Sequence, residues 1–146
     1  MDNYTVSFLG DEGVGKTSVI NSLFHEPYDQ YSNNFVSKKY MKPDTDLQID
    51  LWEFSGNRGY IDGIKNELKL TDYCVILYDS TNKTSYKNAI NFWINVAKEY
   101  VNDSKIIMFA TKSDLKPVMN IPSNHIYKNA KKDDIYFEFF TTLFKN

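Results

Sequence analysis

The segment "GDEGVGKT", residues 10 to 17, constrains the fold more than any other part of the sequence. It matches the pattern G-x-x-x-x-G-K-[ST] at every specified position. The strand-like segment "YTVSFLG" precedes it and the helical pattern "KTSVINSLF" follows it. Glycines let the backbone curl so that its N–H groups point toward an anion, and a helix N-terminus adds positive potential. The segment therefore predicts a phosphate-binding loop between a strand and a helix.

The residue types in this loop predict separate roles. Lys16 would reach the outer phosphates of a nucleotide, and the Thr17 hydroxyl would ligate Mg²⁺. The other loop residues predicted to contact the nucleotide are Glu12, Gly13, Val14, Gly15 and Ser18. The alternative is a glycine-rich turn that contains a lysine by chance. The flanking strand and helix patterns favour the phosphate loop.

Hydrophobic periodicity predicts that strands and helices alternate along the chain. Two strands, "FVSKKYM" and "LQIDLWEF", are joined by the turn-forming "KPDTD". The continuous apolar runs "CVILYD" and "KIIMFAT" are typical of central strands covered on both faces. The segments "TSYKNAINFWINVAKEY" and "DDIYFEFFTTLF" have helical spacing of apolar residues. This order predicts a single α/β domain over residues 1–146 with a mostly parallel sheet flanked by helices.

Composition and charge exclude several classes of function. The net charge of -2 gives no general attraction to nucleic acid. No stretch has the length of a membrane span or the form of a signal peptide, and no cysteine is placed for lipid attachment, so we expect no direct membrane anchor. The single cysteine, Cys74, is expected in the core, which indicates a cytoplasmic protein. His25 and His125 are expected on the surface.

Two further segments are suited to reading a guanine base. In "TKSD", residues 111 to 114, Asp114 can accept hydrogen bonds from guanine N1 and the exocyclic amine, and the Lys112 stem can lie along the base. In "NAKKDD", residues 129 to 134, the Ala130 N–H can meet the guanine carbonyl. The alternatives are an ordinary polar loop and a basic helix entry. The base-site residues predicted from these two segments are Thr111, Lys112, Asp114, Asn129, Ala130 and Lys131.

Taken together, these segments resemble the Ras superfamily of small GTPases, and the Rab branch in particular. The similarity extends over "LQIDLWEFSGN" and "YDSTNKTSYKNAINFW" as well as the loop motifs. It implies a six-stranded sheet, Mg²⁺ with GTP or GDP, and two switch segments at about residues 26–37 and 53–69. Such switches respond to the γ-phosphate and bind protein effectors or regulators.

The sequence departs from the family pattern in the second switch. The family carries D-x-x-G-Q at the end of this strand, where the acid holds Mg²⁺ through water and the Gln orients the attacking water. In "EFSGN", Glu53 replaces the Asp, Gly56 is retained for the γ-phosphate, and Asn57 takes the catalytic Gln position. Glu53 is one methylene longer than the family's Asp, which is predicted to disturb the geometry of the Mg²⁺ site. Asn57 is one methylene shorter than the family's Gln, which is predicted to weaken its hold on the attacking water. The alternative is that both are ordinary turn residues.

Two more departures concern the same end of the nucleotide. Glu12 brings a carboxylate toward an anionic phosphate. The family's first switch supplies a Thr, but no Thr occurs here between Thr17 and Thr45. Ser32, Asn33 and Asn34 are the candidate substitutes.

The interval between the two base-reading segments is short. Only "LKPVMNIPSNHIYK", residues 115 to 128, fills it, and it contains Pro117 and Pro122. Prolines break helices and about ten residues are needed for a useful one, so the family's fourth helix is expected to be reduced or missing. We expect one side of the sheet to be thinly covered there and suited to a partner or a second copy.

These observations favour a Rab-like guanine-nucleotide-binding protein with weak or absent GTP hydrolysis that acts through partners. One alternative is a competent GTPase switch assisted by a partner's arginine. Another is an interaction module that mimics a Rab surface without nucleotide. An ATP-using kinase is a further alternative, but it would give no reason for the segments "EFSGN" and "TKSD".

Overall fold

The computed structural model describes residues 2–23 and 29–130. In this part of the chain, seven strands form one sheet in the order β2-β3-β4-β1-β5-β6-β7. The strands are β1 (Asp2–Leu9), β2 (Asp29–Ser32), β3 (Val36–Asp44), β4 (Leu47–Phe54), β5 (Tyr73–Asp79), β6 (Ile106–Thr111) and β7 (Ile126–Tyr127).

The sheet is mixed but mostly parallel, as predicted. β1 pairs in parallel with both β4 and β5, and β6 extends the parallel part to β7. β2, β3 and β4 are antiparallel neighbours. β1 therefore lies where the order of strands reverses, and ligands of open α/β sheets bind at the carboxyl ends of strands at such a point.

The described sheet has one strand more than the six predicted, because the first switch folds back as β2. The Asn33 side-chain oxygen accepts hydrogen bonds from the backbone N–H of Phe35 at 2.8 Å and of Val36 at 3.0 Å. This closes a tight turn, so residues 29–32 pair with residues 37–40. β2 is exposed throughout and polar, so it has no apolar alternation that would have predicted a strand.

The helices are α1 (Lys16–Leu23), α2 (Ile61–Leu68), α3 (Lys83–Asn88) and α4 (Ile94–Lys98), with a π-helical turn at Ala89–Trp93. Residues 83–98 form one continuous helical run, here called the long helix, as the spacing predicted. Asn82 starts it by accepting a hydrogen bond from the Ser85 N–H at 3.0 Å. A short 3₁₀ turn, Arg58–Tyr60, precedes α2.

Helices cover the two faces of the central strands. Alternate β5 residues face opposite ways, with Val75 and Leu77 packing in the cluster that contains α1. Cys74, Ile76 and Tyr78 pack in the cluster that contains α2 and the long helix. All seven β5 residues are buried, as the continuous apolar run predicted for a central strand.

The segment between β6 and β7 contains no helix, as its prolines predicted. It nevertheless covers the sheet, because Met119 and Ile121 pack against the cluster around Tyr78. The Tyr78 hydroxyl and His125 Nδ1 are 2.8 Å apart. Met108, in the same cluster, is 9% exposed, so β6 itself is covered on this face, while Leu115 and Val118 of the segment are 50% and 53% exposed. His125 is half-buried rather than a surface residue.

Several expectations concern residues outside the described part. These are the last helix, Lys131, His25 and the first three residues of the predicted first switch. Among the helices of residues 2–23 and 29–130, none is long and apolar enough to cross a membrane.

Candidate nucleotide-binding site

The glycine-rich loop connects the carboxyl end of β1 to the first residue of α1, as predicted. Gly13 and Gly15 have φ angles of 80° and 103°. These left-handed conformations suit glycine and allow consecutive N–H groups to point into one concavity. Val14 between them is buried in the core and anchors the loop to the sheet.

Lys16 is buried at the mouth of this loop. Its Nζ donates to the backbone carbonyls of Gly10 at 2.7 Å and Asp11 at 2.9 Å. Burial lowers the pKa of Lys16 below its ordinary value, while the carboxylates of Glu53, Asp11 and Glu12 act in the opposite direction. The loop therefore holds a desolvated cationic group where a phosphate would neutralise it.

The Thr17 hydroxyl and the Glu53 carboxylate meet beside the loop. Thr17 Oγ1 lies 2.8 Å from one Glu53 oxygen and 2.7 Å from the other. Hydroxyl and carboxylate oxygens are the hard donors that Mg²⁺ prefers, and protein sites with phosphates supply only one or two of them. In residues 2–23 and 29–130, no cluster of three or more His, Cys, Asp or Glu side chains forms another metal site. The Thr17–Glu53 pair thus fits Mg²⁺.

Gly56 packs directly against the phosphate loop. A Cβ at this position would lie 2.3 Å from the Glu12 backbone nitrogen and 2.6 Å from the Asp11 carbonyl carbon. Such contacts are closer than atoms can approach, so only glycine fits without rearrangement. The second switch therefore touches the loop at the residue that the family pattern retains.

Asn57 is engaged in a local turn. Its side-chain oxygen accepts a hydrogen bond from the Gly59 N–H at 2.9 Å and caps the 3₁₀ turn. The neighbouring Arg58 is exposed, and its guanidinium lies 3.9 Å from the centre of the Phe92 ring on the long helix. The side chains of Asn57 and Arg58 are therefore both in contact with other parts of the protein.

The three residues predicted to replace the first-switch Thr all lie in or beside the β2 hairpin. Ser32 lies in β2 opposite Ser37, and the Asn33 side-chain oxygen closes the hairpin turn. Asn34, at the tip, is exposed. Phe35 then joins the two switches, because its carbonyl accepts from the Ser55 N–H at 2.9 Å and its ring contacts Tyr60 edge-on.

At the other end of the site, Thr111 ties the end of β6 to the phosphate loop. Its buried hydroxyl lies 2.7 Å from the Val14 carbonyl oxygen and 3.2 Å from that of Tyr78. The sequence placed Thr111 among the base-site residues without predicting this link. The loop conformation and the position of the "TKSD" turn are therefore coupled through one side chain.

Lys112 adopts a left-handed backbone conformation, with φ 63°, at the start of this turn. Its Nζ lies 2.6 Å from an oxygen of Asp79, at the end of β5. Burial opposes ionisation of Asp79, but hydrogen bonds from Lys112 and Thr81 outweigh it and lower the Asp79 pKa. Sequence reasoning missed Asp79, although an acid ending a buried strand was a visible signal.

A cavity of about 350 Å³ joins the predicted segments, within the range of small-molecule sites. Its lining residues are Gly13, Val14, Gly15, Ser18, Thr111, Lys112, Asp114, Leu115, Asn129 and Ala130. Lys16, Thr17 and Gly56 lie at the loop rather than along this lining. The structure therefore brings the glycine loop, the "TKSD" turn and the start of "NAKKDD" to one place.

A glycine-rich loop at the switch point of a mostly parallel sheet, with a buried Lys and an adjacent Thr, defines a phosphate-loop nucleotide-binding protein. The sequence model of the Ras family matches residues 5–143, nearly the whole chain. The protein therefore belongs to the Ras family of small GTPases, whose members bind guanine nucleotides and act with regulators and effectors.

Proposed function

We propose that this protein is a Rab-like, guanine-nucleotide-binding protein with weak or absent GTP hydrolysis, acting in the cytoplasm through protein partners. The observation that carries this proposal is the state of Asn57. The residue in the catalytic position is a short amide whose oxygen caps a turn. A group used in this way is poorly placed to orient an attacking water.

The phosphate end supports binding. The loop N–H groups, the Lys16 ammonium and the start of α1 offer positive potential to a diphosphate or triphosphate. Thr17 and Glu53 would hold Mg²⁺, which when bound neutralises charge on the phosphates. Lys16 and Thr17 are held near the loop by contacts with Gly10, Asp11 and Glu53, and phosphate and Mg²⁺ would replace these contacts on binding.

The base end supports guanine over adenine. Asp114 and Ala130 line one cavity with the Lys112 stem, so an acid acceptor and a backbone donor can face the same base edge. Only guanine presents a paired N–H edge to the acid together with a carbonyl for the backbone N–H. A charge-assisted hydrogen bond of this kind contributes about 1.5–3 kcal/mol to discrimination.

Hydrolysis lacks support at three points. Asn57 is short and engaged, which weakens the hold on the attacking water. Glu12 is exposed on the loop and adds negative charge where the transition state needs positive potential. Glu53 reaches Thr17 with both oxygens, and the described first switch has no Thr to complete the metal site. Binding tolerates these changes better than catalysis because catalysis needs all three conditions together.

Partner binding is supported by the exposed faces of the switches. Tyr31 on β2 is 52% exposed and Tyr60 before α2 is 37% exposed. Exposed aromatic residues are common anchors of protein interfaces. Arg58 stacks on Phe92, which argues against an arginine acting in cis and leaves assisted hydrolysis dependent on a partner.

The test is to identify the bound nucleotide and then change the base-reading acid. Nucleotide released from the purified protein is separated by chromatography, and GDP, ADP and XDP are titrated calorimetrically. Asp114→Asn should weaken GDP binding about tenfold or more and improve XDP binding, because the xanthine 2-oxo group needs a donor. Asp103→Asn makes the same chemical change on an exposed residue outside the cavity and should alter neither. An unchanged base preference in Asp114→Asn, or a wild type that binds no guanine nucleotide, would refute the proposal.

A further inference from the structure

The phosphate loop is held by the long helix through one carboxylate. Asp11, the second residue of the loop, accepts a hydrogen bond on each of its oxygens. Asn88 Nδ2 lies 2.6 Å from Oδ2, and Trp93 Nε1 lies 2.8 Å from Oδ1. Trp93 is fully buried, and the Asn88 and Trp93 donors lie 77 and 82 residues along the chain from Asp11.

The π-helical turn explains how both donors reach Asp11. Asn88 and Trp93 are five residues apart, and in an α-helix such residues point about 140° away from each other. In a π-helix the hydrogen bonds run from i to i+5, so residues five apart lie about one turn apart on nearly the same side of the helix. Since the π-helical turn spans Ala89–Trp93, it brings the two side chains to the same side of the long helix.

Asp11 also lies where the parts of the site meet. Its backbone carbonyl accepts from Lys16 Nζ, and its carbonyl carbon is one of the atoms against which Gly56 packs. A change in the Asp11 backbone would therefore move the groups that face the phosphates. Its side chain points to the long helix and is not available to a nucleotide.

We propose that Asp11 is a positioning residue. The hydrogen bonds from Asn88 and Trp93 to its carboxylate, here called the clamp, fix the phosphate loop in its binding conformation. The clamp acts on the loop whether or not nucleotide is present. Its effect on nucleotide release rests on the proposed function. Two charge-assisted hydrogen bonds in a partly buried place order the loop in advance and so reduce the cost of ordering it on binding.

The test uses an exchange of side chains that preserves the hydrogen bonds. Asp11→Asn places an amide between the Asn88 and Trp93 donors, so at least one of the two hydrogen bonds is lost. The double variant Asp11→Asn/Asn88→Asp restores both, because the amide at position 11 can donate to the new carboxylate and accept from Trp93. Trp93→Phe removes one donor and keeps a buried ring. Asn95→Ala is the control, since Asn95 is exposed on the same helix and, within residues 2–23 and 29–130, its side chain donates to the Asn91 carbonyl alone.

Amide hydrogen exchange of residues 10–15 is measured without nucleotide, and release of a fluorescent GDP analogue is measured separately. We expect faster exchange and about tenfold faster release in Asp11→Asn, a smaller effect in Trp93→Phe, and rates within about twofold of wild type in the double variant and the control. Unchanged exchange in Asp11→Asn, or a folded double variant that behaves like the single one, would overturn the proposal. If Asp11→Asn does not fold, Trp93→Phe decides the matter, and unchanged loop exchange there would overturn it. If the wild type binds no guanine nucleotide, the proposed function fails while the exchange data still decide this inference.

Discussion

At the scale of single residues, the site combines retained binding groups with altered catalytic ones. Lys16 and Thr17 occupy the positions that the loop pattern requires, and Thr111 secures the loop through the Val14 carbonyl. Glu53 keeps the carboxylate of the family's Asp on a side chain that is one methylene longer, and it contacts Thr17 directly. Asn57 keeps the amide function but uses it to cap a turn. In the function proposed above, these departures from the family pattern therefore affect the γ-phosphate end of the site.

Gly56→Ala tests the contact between the second switch and the phosphate loop. The added methyl group would meet backbone atoms of Glu12 and Asp11 at 2.3 and 2.6 Å, and backbone cannot move aside as a flexible side chain can. We expect the free energy of unfolding to fall by about 1–3 kcal/mol in urea denaturation. Gly59→Ala is the control, because the nearest atom that its methyl group would meet is the Asn57 side-chain oxygen, at 3.1 Å. Equal losses in the two variants would contradict this account.

The residue types of the site could be predicted from the sequence, but many of their contacts could not. The glycine loop was predictable because a local pattern fixes its backbone. The pairing of Lys112 with Asp79, and the clamp on Asp11, join residues that are far apart in the chain. Such contacts depend on how the sheet and helices are placed, and short-range patterns do not carry that information.

At the scale of elements, two parts of the fold were predictable and two were not. Continuous apolar runs predicted the central strands, and prolines predicted the missing helix between β6 and β7. The β2 hairpin depends on the Asn33 turn, and its polar strand gives no periodic signal. The π-helical turn was also missed, since a single added residue hardly changes a helical pattern read over a long window.

The segment that replaces the helix carries a pH-sensitive contact at His125. Burial lowers its pKa below the ordinary value of 6.5, so the folded protein favours the neutral imidazole that meets the Tyr78 hydroxyl. Below pH 6.5 the unfolded chain takes up this proton more readily than the folded protein. The stabilisation is therefore complete above pH 6.5 and is lost as pH falls toward the folded pKa.

Urea unfolding of wild type and His125→Gln at pH 7.5 and pH 5.5 measures this effect. The glutamine amide can still bond to Tyr78 but does not titrate, and all other titrating groups are common to both proteins. We expect the wild type to lose more free energy of unfolding between the two pH values than His125→Gln. Equal losses would show that His125 titrates alike in the folded and unfolded states.

At the scale of the whole molecule, the described switches and the phosphate loop form one connected region at the carboxyl edge of the sheet. Phe35 connects the first switch to Ser55 and Tyr60, and Gly56 connects the second switch to the loop. The family match over residues 5–143 agrees with the overall fold predicted from alternating elements. The proposed Rab-like role and slow hydrolysis rest on particular residues, and membership of the family does not decide either of them.

In the proposed function, the protein binds GTP and hydrolyses it poorly because several departures from the family pattern affect one transition state. Single-turnover phosphate release from protein preloaded with GTP tests it most directly, with GDP release followed separately as a control for binding. The proteins compared are wild type, Asn57→Gln, and the triple variant Glu12→Gly/Glu53→Asp/Asn57→Gln. We predict a wild-type rate at or below the order of 10⁻⁴ per second, little gain from Asn57→Gln, and a clearly faster triple variant. Wild-type hydrolysis well above that rate, or full recovery from Asn57→Gln alone, would contradict the account.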